Sequence, residues 1–208
     1  MTPHEYAIVG HKRSEIGRWL GVASVTLAPI ITYATSWLPQ LFNLTTPIEE
    51  KLATFTISTG FTYLVLYWIF NRYGWRWLDR YLQIPDLTGR WKIIGTTKEQ
   101  DGSNQFEWQG ELIVSQKWDR IAIELKTPQS SSYSETASLL VKHDGECKLS
   151  YSYQNHPRSG ETELQKHQGF CELIFDASHS IADGHYFNSL GRYTFGHMTL
   201  TKLTQGSV

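Results

Sequence analysis

Cysteine is scarce in this sequence, which has two cysteines, Cys147 and Cys171, in 208 residues. The two thiols could form one disulfide, but their spacing does not require it, and a structural metal site needs more ligands than these two. Disulfide-dense frameworks belong to secreted proteins, so the low count favours a reducing compartment. We expect neither a metal ion nor a cofactor.

A basic excess is also missing, since 19 Lys and Arg residues face 20 Asp and Glu residues and the formal net charge is −1. General nucleic-acid binders carry a basic excess, so neither DNA nor RNA is expected as a partner. The sequence contains no Gly-x-Ser-x-Gly elbow, P-loop, His-Glu-x-x-His or Cys-x-x-Cys motif. The eight histidines do not cluster at metal-ligand spacing. We therefore do not expect an enzyme.

Charged residues are absent from two long stretches near the N-terminus, at 19–48 and 52–70. A hydrocarbon core of about 30 Å needs about 20 helical residues, and kinks at proline are tolerated there. We predict two transmembrane helices at about 19–38 and 52–70, with Pro29 inside the first. The first stretch exceeds the apolar core of a signal peptide and a second one follows, so cleavage is not expected.

Basic residues flank both predicted spans. Lys12, Arg13 and Arg18 precede the first span, and Arg72, Arg76 and Arg80 follow the second within a basic juxtamembrane helix predicted at 71–84. The positive-inside rule then places both termini in the cytoplasm, and the basic helix is expected to lie on anionic lipid. We therefore divide the chain into a transmembrane region, 1–85, and a cytosolic domain, 86–208.

A row of small residues recurs every four positions along the first span. Its members are Ser24, Ala28, Thr32 and Ser36. Small residues permit close helix approach in a bilayer, so this row is a packing face. The partner is either the second span of the same chain or another copy of it.

From residue 87 onward the apolar residues alternate with a period of two, which is typical of strands. We predict eight strands, separated by turn sequences such as Asp101-Gly102 and Asp144-Gly145, at about 88–98, 105–116, 118–126, 132–142, 147–154, 167–176, 180–188 and 191–203. Short connections favour an antiparallel meander, and eight such strands can close into an up-and-down barrel. The predicted fold is thus two membrane helices followed by an eight-stranded, lipocalin-like β-barrel.

Residues at the two ends of the predicted barrel resemble a lipocalin feature. Gly89-Arg90-Trp91 opens the first strand, and Arg192 lies early in the last strand. In lipocalin-like barrels an arginine from the final strand covers the tryptophan of the Gly-x-Trp sequence. The resemblance implies a structural role for Gly89, Trp91 and Arg192, in which a cation–π contact closes the barrel.

Aromatic and polar residues share the faces predicted to point inward. An eight-stranded barrel can hold one small ligand, aromatic faces can stack on bases, and arginine pairs with phosphate oxygens. The candidate ligand-binding residues are Trp108, Tyr151, Tyr153, His167, Tyr186, Asn188, Arg192 and Thr194. Each could instead be an ordinary core or rim residue.

The whole plan resembles the two-transmembrane β-barrel effectors of bacterial cyclic-oligonucleotide antiphage systems (CBASS). The resemblance is carried by the two spans, by Pro85–Trp91, by His167-Gln168-Gly169 and by the segment from Gly184 to Leu200. It implies a multi-pass protein of the bacterial inner membrane. It also implies that the barrel binds a cyclic di- or trinucleotide made by a partner nucleotidyltransferase, and that the spans then form a homo-oligomer and disrupt the membrane.

Two other functions remain open on the residues alone. A membrane-tethered, lipocalin-like carrier of an apolar ligand would need an almost wholly aliphatic pocket. A membrane enzyme would need convergent titratable groups in one cavity. A nucleotide receptor would instead combine aromatic rings with polar side chains.

Overall fold

The computed structural model describes residues 2–10, 13–35, 37, 58–99, 101, 103–142, 144–160, 165–189 and 193–203. The chain forms two compact units. One unit comprises Met1–Gly10 and Leu78–Val208, and the other comprises His11–Trp77.

The helical unit contains α1 (Arg13–Thr35) and α2 (Thr59–Ile69). Of the helices in the described residues, α1 alone is long and apolar enough to cross a membrane, with Pro29 inside it. The second predicted span, 52–70, is described only from residue 58, and its helix begins after Ser58, whose hydroxyl accepts a hydrogen bond from Phe61 N at 3.1 Å.

The two helices pack against each other through small residues. Ser24 and Ala28 of α1 are buried, as is Thr62 of α2. Part of the predicted small-residue row therefore packs within the chain, while Ser36 lies outside the described residues.

The segment predicted as one helix over 71–84 is helical up to Leu82 but is divided into three short pieces. The chain continues α2 as a π-helical turn, Phe70–Gly74, and then forms two short helices, α3 (Trp75–Trp77) and α4 (Asp79–Leu82). Glycine is a poor helix former, and Gly74 ends the π-helical turn. Gln83 has a left-handed φ of 51°, which ends the helical path.

The other unit is a closed barrel of nine strands. The strands are β1 (His4–Val9), β2 (Gly89–Lys98), β3 (Asn104–Gln116), β4 (Arg120–Lys126), β5 (Ser130–Val141), β6 (Cys147–Pro157), β7 (His167–Phe175), β8 (Ile181–Ser189) and β9 (Phe195–Lys202). Strands β2 to β9 form an antiparallel meander, and β9 pairs with β2. Eight of the nine strands therefore lie close to the ranges that the alternation predicts.

The structure has a ninth strand, β1, and one parallel pairing, whereas the sequence predicted eight strands that are all antiparallel. Strands β4 and β5 pair only over Glu124–Lys126 and Ser131–Tyr133, and β1 fills the gap beyond. It pairs antiparallel with β4 at His4 and Glu5 and parallel with β5 from Tyr6 to Val9. The residues before the first span thus belong to the barrel, which the predicted division at residue 85 did not include.

A bulge in β5 makes room for β1. The register of β5 against β6 shifts between Ser134 and Thr136, and such a bulge bends a strand and increases its twist. The Ser134 hydroxyl accepts a hydrogen bond from Ile123 N of β4 at 3.0 Å and lies 2.8 Å from His4 Nε2 of β1. One side chain therefore joins the three strands where β4 and β5 separate.

One end of the barrel is filled by apolar side chains around Trp91, which is fully buried. The Trp91 indole N–H donates to Leu87 O at 3.2 Å, and its ring meets Phe175 edge-to-face at 5.0 Å. Lys202 Nζ lies 5.1 Å from the ring centroid. Burial of these rings closes this end of the barrel.

Among the described residues, the cation that lies over Trp91 is Lys202, at the end of β9. The sequence predicted Arg192 for this position, and Arg192 lies outside the described residues. In the register of β9 against β2, Trp91 pairs with Lys202, while Phe195 at the start of β9 pairs with Lys98 at the other end of β2. Gly89 enters β2 with φ +145°, a conformation that side chains rarely adopt, and a Cβ there would lie 3.2 Å from Lys202 Cε.

Candidate functional site

A cavity of about 520 Å³ occupies the other end of the barrel. Six of the predicted ligand-binding residues line it, namely Trp108, Tyr151, Tyr153, His167, Tyr186 and Asn188. They come from β3, β6, β7 and β8, and β3 meets the other three strands around one space because the sheet closes into a barrel. Thr194 is buried without being among the lining residues, and Arg192 lies outside the described residues.

Glycines opposite the aromatic rings keep this cavity open. Trp108 is paired across strands with Gly95, Tyr153 with Gly169, and Tyr186 with Gly196. A Cβ built at each glycine would come within 2.4 Å, 2.4 Å and 2.7 Å of the respective ring. The three rings therefore lie over glycine backbone along the wall.

Hydrogen bonds fix the rings of Trp108 and Tyr186. Tyr186 Oη lies 2.6 Å from Thr97 Oγ1 and accepts from Trp108 Nε1 at 3.1 Å. The two rings meet edge-to-face with centroids 5.9 Å apart. Because the polar ends bond to each other, the ring surfaces are held in place for stacking.

A second chain of hydrogen bonds runs through Asn188. The Tyr153 hydroxyl donates to Asn188 Oδ1 at 2.7 Å, and Asn188 Nδ2 donates to Thr194 Oγ1 at 2.9 Å. Thr194 thus acts on the cavity through Asn188, which it orients. The sequence placed these three residues in one site without showing this order.

Asn155, a lining residue near the end of β6, supplies a further polar side chain. Asn155 is 3% exposed, and its Oδ1 accepts from Ser132 Oγ at 2.9 Å. Its Nδ2 has no hydrogen-bond partner in the part of the chain that the structure describes. Nearby, His167 Nδ1 donates to Gln165 O at 2.9 Å, which fixes the imidazole orientation.

Burial keeps two ionisable side chains beside the cavity, those of Cys171 and Tyr151, neutral. It raises the pKa of the Cys171 thiol to about 12 and the pKa of the Tyr151 hydroxyl well above its ordinary value. A thiol in that state is a poor nucleophile, since the thiolate is the reactive form. These residues therefore offer surface and hydrogen bonds, not covalent chemistry.

The lining carries little charge. None of the described residues that line the cavity is a lysine or an arginine, and Glu107 contributes a carboxylate. Within the described residues, no group of three His, Cys, Asp or Glu side chains could hold a metal ion. The arrangement suits a ligand part that is flat, polar and uncharged.

The other fourteen lining residues were not among the predicted ligand-binding residues. They are Thr97, Phe106, Glu107, Gln109, Ile123, Leu125, Thr127, Pro128, Gln129, Ser130, Ser132, Asn155, Cys171 and Met198. Those on the inward strand faces follow the same alternation as the residues that were found, so closure of the barrel was the missing information. The turn at 127–129 carries no inward pattern, so no periodic signal could place it.

Comparisons with known proteins match two separate parts of the chain. The family described as "Cap15, cyclic dinucleotide receptor domain" matches residues 82–202, and the one described as "Cap15, TM helices" matches residues 14–76. The "CD-NTase-associated protein 15" of Yersinia aleksiciae is 37% identical over 210 residues, covering 98% of this chain and 99% of that protein. These matches confirm the resemblance found from the sequence and support a transmembrane region before the barrel. The protein belongs to the Cap15 family.

Proposed function

We propose that this protein is an antiphage effector whose barrel binds a cyclic dinucleotide made by a partner nucleotidyltransferase. Binding causes the transmembrane segments to form homo-oligomers that disrupt the bacterial inner membrane and stop growth of the infected cell. The observation that carries the proposal is the cavity of about 520 Å³, whose described lining combines five aromatic residues with serine, threonine, asparagine and glutamine side chains. Family membership supplies the class of ligand.

The wall chemistry favours a nucleotide over an apolar ligand. Base–aromatic stacking contributes about 1–3 kcal/mol per base, and Trp108, Tyr153 and Tyr186 present rings held by hydrogen bonds. Serine, threonine, asparagine and glutamine occupy much of the remaining lining. An apolar ligand would leave the buried Asn155 Nδ2, which has no partner within the described residues, unsatisfied at a free-energy cost.

Membrane topology completes the proposal. Both termini lie in the cytoplasm, which places the barrel where a cyclic nucleotide is made. The basic flanks of 19–38 and 52–70 support this orientation. A ligand can drive assembly only by binding the assembled state more tightly than the free one, so the barrel must differ between the two states.

The proposal is tested by expressing the chain in bacteria with and without its partner nucleotidyltransferase. During phage infection, growth arrest and entry of a membrane-impermeant dye are expected only when both proteins are present. Trp108→Ala, which removes a cavity ring, should abolish both effects. Ile174→Ala, on the exposed face of β7, is the matched control and should behave as the wild type. Dye entry without the partner enzyme, or unchanged killing by Trp108→Ala, would contradict the proposal.

A further inference from the structure

We infer, on the basis of the proposed function, that the ligand enters the cavity base first. A nucleobase whose edge carries a hydrogen-bond acceptor lies at Asn155, and a phosphate stays at the rim with Arg158. The inference rests on three observations: the charge of the described lining residues, the Asn155 Nδ2 donor that has no partner within them, and the position of Arg158.

The charge of the described lining residues disfavours a phosphate in the interior. A cyclic dinucleotide carries a negative charge on each phosphate, and an anion taken out of water needs a cation or a set of donors beside it. No lysine or arginine is found among the described lining residues. The neutral base is therefore the part that the cavity accepts.

Asn155 selects for an acceptor on the base. Its Oδ1 is already occupied by the Ser132 hydroxyl, so the amide offers Nδ2 as a donor. That buried donor is unpaired within the described residues, and pairing it removes a destabilising unsatisfied group. Carbonyl oxygens and ring nitrogens of a base can accept this bond, whereas an exocyclic amine cannot.

A stacking surface lies next to this donor. Tyr151, Tyr153 and Asn155 alternate along β6 with the two intervening side chains on the opposite face, so all three contribute to the cavity wall. The two tyrosine rings are tilted, with centroids 6.1 Å apart. A base stacked against Tyr153 would have its edge beside Asn155.

Arg158 stands at the rim, three residues beyond Asn155. Its backbone N donates to Gln129 O at 2.9 Å and its Nη2 donates to Thr127 O at 3.0 Å, both in the turn that lines the cavity. The guanidinium bonds to the turn while lying in solvent, with further N–H groups able to meet phosphate oxygens. Base inside and phosphate outside thus match the two parts of a nucleotide.

The inference is tested by calorimetric titration of the full-length protein in detergent with cyclic dinucleotides of different bases. For the ligand that the wild type binds, a matched analogue with the base acceptor replaced by C–H should bind at least tenfold more weakly. Asn155→Ala should bind both equally, because the discriminating donor is gone. Asn155→Ala that discriminates as the wild type does would overturn the base assignment.

Arg158→Ala should weaken every cyclic dinucleotide that the wild type binds by a similar factor and lessen the salt dependence of binding, since it removes a phosphate contact. Lys92→Ala, an exposed cation near the filled end, is the control and should leave binding unchanged. Equal behaviour of the two variants would overturn the rim assignment. A folded wild type that binds no cyclic dinucleotide would instead refute the proposed function itself.

Discussion

The side-chain amide of Gln116 donates a hydrogen bond to the hydroxyl of Tyr6, with Nε2 and Oη 3.1 Å apart. The same Nε2 donates to Pro85 O at 3.2 Å, and Oε1 accepts from Leu87 N at 2.9 Å. Gln116 is 2% exposed. One buried glutamine therefore joins β1 to the segment that precedes β2.

Gln116→Ala should destabilise the barrel by roughly 2–4 kcal/mol, because it leaves the Leu87 N–H and the Pro85 carbonyl buried without this partner. Tyr6→Phe removes the bond from Gln116 and the bond that the Tyr6 hydroxyl donates to Lys117 O at 3.2 Å, and should cost less, about 1–2 kcal/mol. Chemical denaturation of both variants in detergent measures the difference. Equal free energies of unfolding for the two variants would show that Gln116 does not join the two segments energetically.

The inserted strand β1 should protect β5 from hydrogen exchange. The side chains of Tyr6 and Ile8 are buried, and residues Tyr6–Val9 pair with Ala137–Leu140. The double variant Tyr6→Ala/Ile8→Ala should release β1 and speed amide exchange at 137–140. Exchange at the β7–β8 pair, on another side of the barrel, serves as the internal reference. Unchanged exchange at 137–140 would contradict the pairing of β1 with β5.

Gly95→Ala should reduce ligand binding without unfolding the barrel. The three nearest atoms to a Cβ at Gly95 all belong to the Trp108 ring, at 2.4, 2.4 and 2.9 Å, so the ring must move from its place on the wall. Ile94→Ala, on the exposed face of the same strand, is the matched control. Titration with the bound cyclic dinucleotide should show at least a tenfold loss for Gly95→Ala alone. Equal affinities of the two variants would mean that the ring position is unimportant for binding.

The sequence predicted the strands of the barrel well because alternation along β2 to β9 is a local signal. It also placed Trp108, Tyr153 and Tyr186 on inward faces, since residues two apart share a face. Strand β1 could not be found in this way, because His4–Val9 is six residues long and its partners lie more than 100 residues away.

The contacts between side chains were equally out of reach of the sequence. The contact of Lys202 with the Trp91 ring depends on the register of β9 against β2, and the sequence does not give that register. Asn155 and Ser132 meet because β5 and β6 pair as neighbours. Their polarity does not mark an inward position, since serine and asparagine are also common in exposed strands and turns.

Both cysteines should be inert in the folded protein. Burial raises the pKa of Cys147 and of Cys171 to about 12, from an ordinary value near 9. The protonated thiols favour the folded state below about pH 9, and this contribution is lost as the pH rises toward 12. At pH 8 a thiol reagent such as iodoacetamide should modify both residues in denaturant and neither without it. Rapid modification of the native protein would contradict the burial of both thiols in the barrel wall.

The central claim, that the barrel is a cyclic dinucleotide receptor, is tested most directly by calorimetric titration of the full-length protein in detergent with cyclic di- and trinucleotides. The account predicts saturable binding of a cyclic dinucleotide, one per barrel, weakened at least tenfold by Asn188→Ala and unaffected by Ile174→Ala. Circular dichroism and thermal unfolding of both variants verify that the barrel remains folded. Absence of binding by the folded wild type across the panel, or equal affinity of the Asn188→Ala variant, would contradict it.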